Sequence, residues 1–166
     1  MKKTSVFLLV FSLLFSACGN SEPHEEASLS SFTSQNGYEI SYPDTLSPVS
    51  LSADIDFVIM DDTTGSSVTV MTQAPDSDGD ITEKSFREDK LSDGMDVRLI
   101  SFKHKDINGL PSYEVTYKYN ENTVTEIVYM TKKHIYRATY TELPGMSDKL
   151  REQMTAIITS LCVPTL

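Results

Sequence analysis

The sequence predicts an α+β domain: an antiparallel β-sheet of about six to seven strands, ending in a C-terminal meander and flanked by helices. Three observations carry this prediction. Apolar and polar residues alternate through most of residues 37–141, short turn-rich spacers separate the alternating runs, and two stretches switch to helical spacing. The spacers of the meander are too short for the crossover that parallel neighbours need, so the pairing is antiparallel.

The elements follow in order. GYEISYP (37–43) places Tyr38, Ile40 and Tyr42 on one face and stops at Pro43, as a first strand does. IDFVIMDD and SSVTVMTQAP flank Thr63-Thr64-Gly65-Ser66, which predicts a hairpin. Four further strands are predicted over 96–105, 111–119, 123–131 and 134–141, with Ile107-Asn108-Gly109, Asn120-Glu121-Asn122 and Lys132-Lys133 as their turns. Between hairpin and meander, DITEKSFREDKLSDGM offers Asp80 and Glu83 as an aspartate version of a capping box. A thin apolar stripe of Ile81, Phe86 and Leu91 then predicts a helix. After Pro144-Gly145, Ser147 caps a second helix, whose Leu150, Met154, Ile157, Ile158 and Leu161 form one stripe over about four turns. Cys162 falls four residues after Ile158 on that stripe, which predicts a buried thiol acting as a small hydrophobe. Tyr113, Val115, Tyr117 and Tyr119 share a strand face, with Tyr129, Tyr136 and Tyr140 on neighbouring strands. This reads as core rather than as a sugar-stacking surface.

Ahead of the domain, Met1, Lys2 and Lys3 precede an apolar run from Val6 to Phe15 that is too short to span a bilayer. Phe15-Ser16-Ala17-Cys18 resembles the bacterial lipobox, in which the cysteine is acylated and becomes the mature N-terminus; leucine is usual where Phe15 stands. The resemblance implies a signal peptide over 1–17, then an acylated Cys18 opening a flexible polar tether over 18–31. A domain over 32–166 would follow, lipid-anchored on the extracytoplasmic side of a membrane in a bacterial cell envelope. Gly19 stands where an aspartate retains some lipoproteins at an inner membrane. Losing the leader would leave 149 residues and, with Lys2 and Lys3 gone, move the formal net charge from −10 to −12. So acidic a chain is repelled overall by nucleic acid and by anionic headgroups, which leaves membrane attachment to acyl chains.

Candidate chemistry is sparse. In PDSDGDITE, Asp76, Asp78 and Asp80 alternate as a calcium loop begins. Ile81 then replaces the turn glycine and Arg87 the bidentate glutamate, so an acidic turn with Asp80 as helix cap is the simpler reading. Asp54, Asp56, Asp61 and Asp62 are further oxygen donors from another loop. His104 and Asp106 lie two apart on a strand and so share a face, as a transition-metal pair would. Two ligands do not make a structural zinc site, and His134 is distant in sequence. Asp76, Asp78, His104 and Asp106 are thus the metal candidates, and no cofactor is expected. No nucleophile-elbow, H-E-x-x-H, P-loop or dinucleotide-binding pattern occurs. A non-enzymatic binding or assembly module therefore ranks first, a metal-ion-binding protein using acidic loops second, and an envelope hydrolase last.

Positive charge is patterned. Lys103, His104 and Lys105 approach one meander turn, while Lys132, Lys133 and His134 form the next turn but one. Alternate turns lie at the same end of a meander, about 10 Å apart when two strand spacings separate them. Asn120-Glu121-Asn122 falls at the far end. The expectation is one cationic, pH-sensitive cap that docks an anionic partner: a headgroup, a wall polymer or an acidic protein face.

The order strand, hairpin, helix, four-strand meander, helix is joined by particular stretches. These are NGYEISYP at the start, VTVMTQAP before the first helix, INGLPSYEVTY in the middle and IYRATYTE before the terminal helix. Together they resemble the PsbP-like family over residues 32–162. The family includes a photosystem II extrinsic subunit, a Ran-binding import protein and small bacterial lipoproteins. The resemblance implies an α/β/α sandwich and no particular activity, since a fold does not carry function.

Overall fold

The computed structural model describes residues 28–50, 55–75, 81–107 and 110–164. Strands β1 (Leu29–Thr33) and β2 (Glu39–Pro43) pair antiparallel with Phe32 opposite Ile40. Gly37, at a φ of +92°, makes the turn between them. The first described strand thus starts at Leu29, inside the 18–31 stretch expected to be tether. In LSSFT only Leu29 and Phe32 are large and apolar, so a strand at the end of the tether was hidden by its composition. The lipobox cysteine Cys18, the leader, and Asp54, Asp76, Asp78 and Asp80 lie outside the described residues.

Strands β3 (Phe57–Met60) and β4 (Ser67–Gln73) form the predicted hairpin. Its turn is closed by Asp61, which accepts hydrogen bonds from the Thr64 amide (2.8 Å) and hydroxyl (2.6 Å). Helix α1 (Glu83–Ser92) follows, then the meander: β5 (Arg98–Ile107), β6 (Leu110–Tyr119), β7 (Asn122–Met130) and β8 (Ile135–Glu142). Helix α2 (Asp148–Thr159) ends the order, with Ser147 as its cap as predicted. Thr82 caps α1 in a reciprocal pair with Ser85, in place of the Asp80–Glu83 pair expected.

Strands β3 to β8 make one antiparallel sheet in the order β3-β4-β8-β7-β6-β5. Its two faces carry two cores. On one, α2 and the β1–β2 hairpin cover Phe57, Ile59, Val68, Val70, Ile127, Tyr129, Tyr136, Ala138 and Tyr140, with Met154, Ile157 and Ile158 reaching in from α2. On the other, Phe86 of α1 packs against Tyr113, Val115, Tyr117, Val124 and Val128. The tyrosine stripe is core: Tyr113 and Tyr117 are each 2% exposed, which excludes them as a sugar platform. The layers are helix, sheet, helix.

Only Phe86 of α1 is buried, so charge completes its seat. Glu126 of β7, 2% exposed, accepts from Lys90 Nζ (2.7 Å), Arg137 Nη1 (2.6 Å) and the Tyr117 hydroxyl (2.6 Å). The Lys90 ammonium also lies 5.3 Å and 5.4 Å from the centres of the Phe86 and Tyr117 rings. Burial alone would raise the Glu126 carboxyl. The Arg137 and Lys90 cations outweigh it and hold the group below the ordinary carboxylate range.

The second correction concerns Cys162, which is exposed. Helix α2 stops at Thr159, and Ser160 Oγ accepts from the Ser41 amide (2.9 Å) while donating to the Ser41 carbonyl (3.0 Å). The tail then runs extended beside β2, with two hydrogen bonds between Glu39 and Cys162. Period two replaces the helical period, so Leu161 and Val163 turn inward and Cys162 outward.

Two outcomes are expected. Glu126→Ala strands two half-buried cations and costs about 3–5 kcal/mol, read as a lower urea midpoint with an unchanged m-value. A carboxyl depressed in the folded state stabilises fully above its unfolded range and ceases to do so as pH falls through its folded value. The gap between Glu126→Ala and the parent therefore narrows in acid. Cys162, in turn, alkylates in the native protein at a rate comparable with that in denaturant, whereas a buried thiol would wait for unfolding.

Candidate functional site

The turn between β7 and β8 is fixed by one side chain. Thr131 Oγ1 accepts from the amides of Lys133 (3.3 Å) and His134 (2.9 Å) and donates to the His134 carbonyl (2.8 Å). The Thr131 amide meets the same carbonyl at 2.9 Å. With the turn closed on itself, Lys132 and Lys133 project outward and are exposed. The His134 ring rests edge-on against Tyr136, 5.7 Å between centres. The Tyr136 hydroxyl donates to the Asn36 carbonyl at 2.8 Å, which ties this end of the sheet to the β1–β2 turn.

Two other segments complete the wall. Ser112 pairs with Tyr129, so Leu110 and Pro111 run on past it beside Met130 and Thr131. Pro164 comes from the C-terminal tail; a Cβ on Gly37 would lie 3.6 Å from its Cγ. Together they enclose a cavity of about 500 Å³ lined by Leu110, Pro111, Met130, Thr131, Lys132, Lys133, His134, Tyr136 and Pro164. Its floor is apolar and its rim cationic. A smaller polar cavity of about 330 Å³ is lined by Phe32, Thr33, Ser34, Gln35, Asn36 and Asp56.

The six basic residues expected in one cap are divided. The turns of Lys105 and Lys132 do lie at one end of the sheet, but Lys103 and Lys105 both pair with Glu114 of β6, Lys103 at 3.2 Å. The Lys105 ammonium, helped by Lys103, holds the Glu114 carboxyl below the ordinary range against its partial burial. His104 points to the opposite face, stacked edge-on against Tyr113 (4.6 Å) and Phe102 (5.4 Å). Only Lys132, Lys133 and His134 line the cavity. Among the described residues neither Lys132 nor Lys133 makes an ion pair.

The metal candidates do not converge among the described residues: no group of three His, Cys, Asp or Glu there is placed to hold an ion, and His104 and Asp106 gain no third ligand. Asp56 and Asp61, considered as extra oxygen donors, serve local structure. Asp56 accepts from Thr72 Oγ1 (2.5 Å) and Asn36 Nδ2 (3.1 Å). Asp61 closes its hairpin turn, and the Thr64 hydroxyl lowers its pKa. Sequence reasoning missed the buried Glu126 cluster and the apolar floor. The first had a visible sign, a glutamate alternating with Val124 and Val128. The second had none, because Leu110, Tyr136 and Pro164 meet only in the folded chain.

Known proteins place the architecture. No family model matches the sequence, and no curated protein matches it significantly. Among solved structures, the chain is similar to the cyanobacterial PsbP protein CyanoP of Synechocystis sp. The two superpose with a TM-score of 0.63 at 18% identity, over 88% of this chain and 98% of that one. A Pseudomonas aeruginosa protein of unknown function superposes with a TM-score of 0.51 at 10% identity, over 83% of this chain and 98% of that one. With antiparallel sheets of six and two strands and a helix on each face of the larger sheet, the chain has a PsbP-like fold.

Proposed function

We propose that this protein is a lipid-anchored, extracytoplasmic binding module that docks an anionic partner at the β7–β8 end of its sheet. The observation that carries the docking reading is the cavity with an apolar floor and two lysines without carboxylate partners among the described residues, in a chain of formal net charge −10. The anchoring half rests on the lipobox-like Phe15-Ser16-Ala17-Cys18. The two halves fit. The chain enters the domain at Leu29, paired with Pro43, at the end of β1 remote from Asn36 and the cavity. Five strand residues separate these ends by about 13 Å. A domain tethered there presents its basic cavity away from the point of attachment.

Each half has its test. Cys18→Ser should yield a species that is either unprocessed or released from the membrane fraction; unchanged partitioning into detergent rejects acylation at Cys18. For docking, Lys132→Glu with Lys133→Glu should abolish sedimentation of the soluble domain with anionic vesicles or purified envelope. The same pair of changes at Lys103 and Lys105, which already face Glu114, should have the smaller effect. Parent binding should weaken as salt rises, as screening requires. Equal binding by parent and the Lys132/Lys133 variant at low salt rejects the site.

A further inference from the structure

We propose that the cavity takes an amphipathic anion: one anionic head group on an unbranched hydrocarbon chain, the head at Lys132 and Lys133 and the chain against Leu110, Tyr136 and Pro164. This rests on the docking reading above and narrows it to a ligand class. The polar inventory of the wall makes the first argument. The Thr131 hydroxyl is consumed by its own turn and the Tyr136 hydroxyl by Asn36. What remains for a ligand is the two lysine ammoniums and the His134 imidazole at one side, with carbon elsewhere. A site for a bare inorganic anion would surround it with donors, as backbone nests and helix N-termini do.

Size makes the second. About 500 Å³ lies within the range of small-molecule sites, which are mostly apolar with a few placed polar groups. An inorganic anion would leave most of that volume and all of its floor unused. The third argument is placement. Lys132 and Lys133, like Lys118 and Lys149, have no carboxylate partner among the described residues, but of these four only Lys132 and Lys133 line the cavity. Their counter-charge is left for the ligand to bring. The site is also preorganised, since Thr131 holds the turn and the Tyr136–Asn36 bond holds the floor, so little ordering is left for binding.

The test uses the full chain in nanodiscs of zwitterionic lipid, with nitrogen-15-labelled histidine. Butanoate, hexanoate and octanoate are titrated in turn, and the His134 amide, assigned through His134→Gln, reports local occupancy. Saturable shifts are expected, with affinity rising roughly fourfold per added methylene until the floor is covered. Lys132→Gln with Lys133→Gln should weaken all three ligands by a similar factor and keep the length dependence. Leu110→Asn should flatten the length dependence while the other histidine signals stay in place. Should that variant unfold, the length series on the parent and on the lysine variant still decides the matter. Equal affinity for all three chain lengths overturns the amphipathic ligand yet leaves a basic docking site standing. No His134 shift with any of them, beside retained binding to anionic vesicles, does the same. Loss of both kinds of binding in the parent removes the docking reading as well.

Discussion

Everything in the architecture depends on the pairing of β4 with β8. Seven residues of β4 lie against seven of β8, from Ser67 opposite Thr141 to Gln73 opposite Ile135. Strand β8 shares its other edge with β7, and of the two outer edges of the meander, those of β8 and β5, the early hairpin joins that of β8. Once it is taken, β5 is left at the far side of the sheet, and the chain between β4 and β5 has to travel across one face. Helix α1 is that crossing. The same pairing brings the β1–β2 hairpin and α2 over the opposite face, where Val70 and Ala138 face each other with no exposure. It also sets the Thr131–His134 turn beside Asn36. The loop closed by this contact is long, a cost that grows only slowly with length but makes the pairing a late reward in folding.

Helix α1 sits on the less apolar side of this arrangement. A single buried phenylalanine is a small apolar footing for ten residues of helix, and three charged groups with a tyrosine hydroxyl complete it. Burying ions is expensive, and a hydrophobic replacement of equal shape would often be as stable. What the cluster adds is position. Glu126 can be satisfied by Lys90 and Arg137 together only when α1 lies in one register over β6, β7 and β8. An apolar seat of the same size would tolerate sliding.

Most of the fold was legible because alternation survives tertiary packing: β2 to β8 and α2 stand within a few residues of their expected places. The failures have local causes. LSSFT carries too few large apolar residues to announce a strand, although pairing to β2 makes it one. Asp80 looked the better cap by residue type, but Thr82 and Ser85 satisfy each other's backbone amides and start the helix later. Cys162 was misplaced because a helical period was extended past Ser160, which the Ser41 backbone captures. At the site, the alternation in Lys103-His104-Lys105 already puts the histidine on the other face. The neutralising Glu114 required the β5–β6 register, in which Lys103 lies opposite it. Pro164, more than fifty residues from Leu110, joins the same wall with no local sign.

The proposed docking end can be basic in an acidic domain, because the relevant distance is short. At physiological ionic strength exposed charges are screened beyond about 8 Å. A group entering the cavity therefore meets Lys132 and Lys133 at full strength and the remainder of the domain only weakly. The net charge governs encounters at longer range, where it slows the approach of any anion. The two scales work in opposite directions, so in the proposed docking an anionic surface is held only where it reaches Lys132 and Lys133. A partner that can also cover Leu110 and Pro164 would gain apolar burial, which salt does not screen. In the proposed arrangement selectivity comes from the floor of the cavity, with the lysines setting only the sign of what enters it.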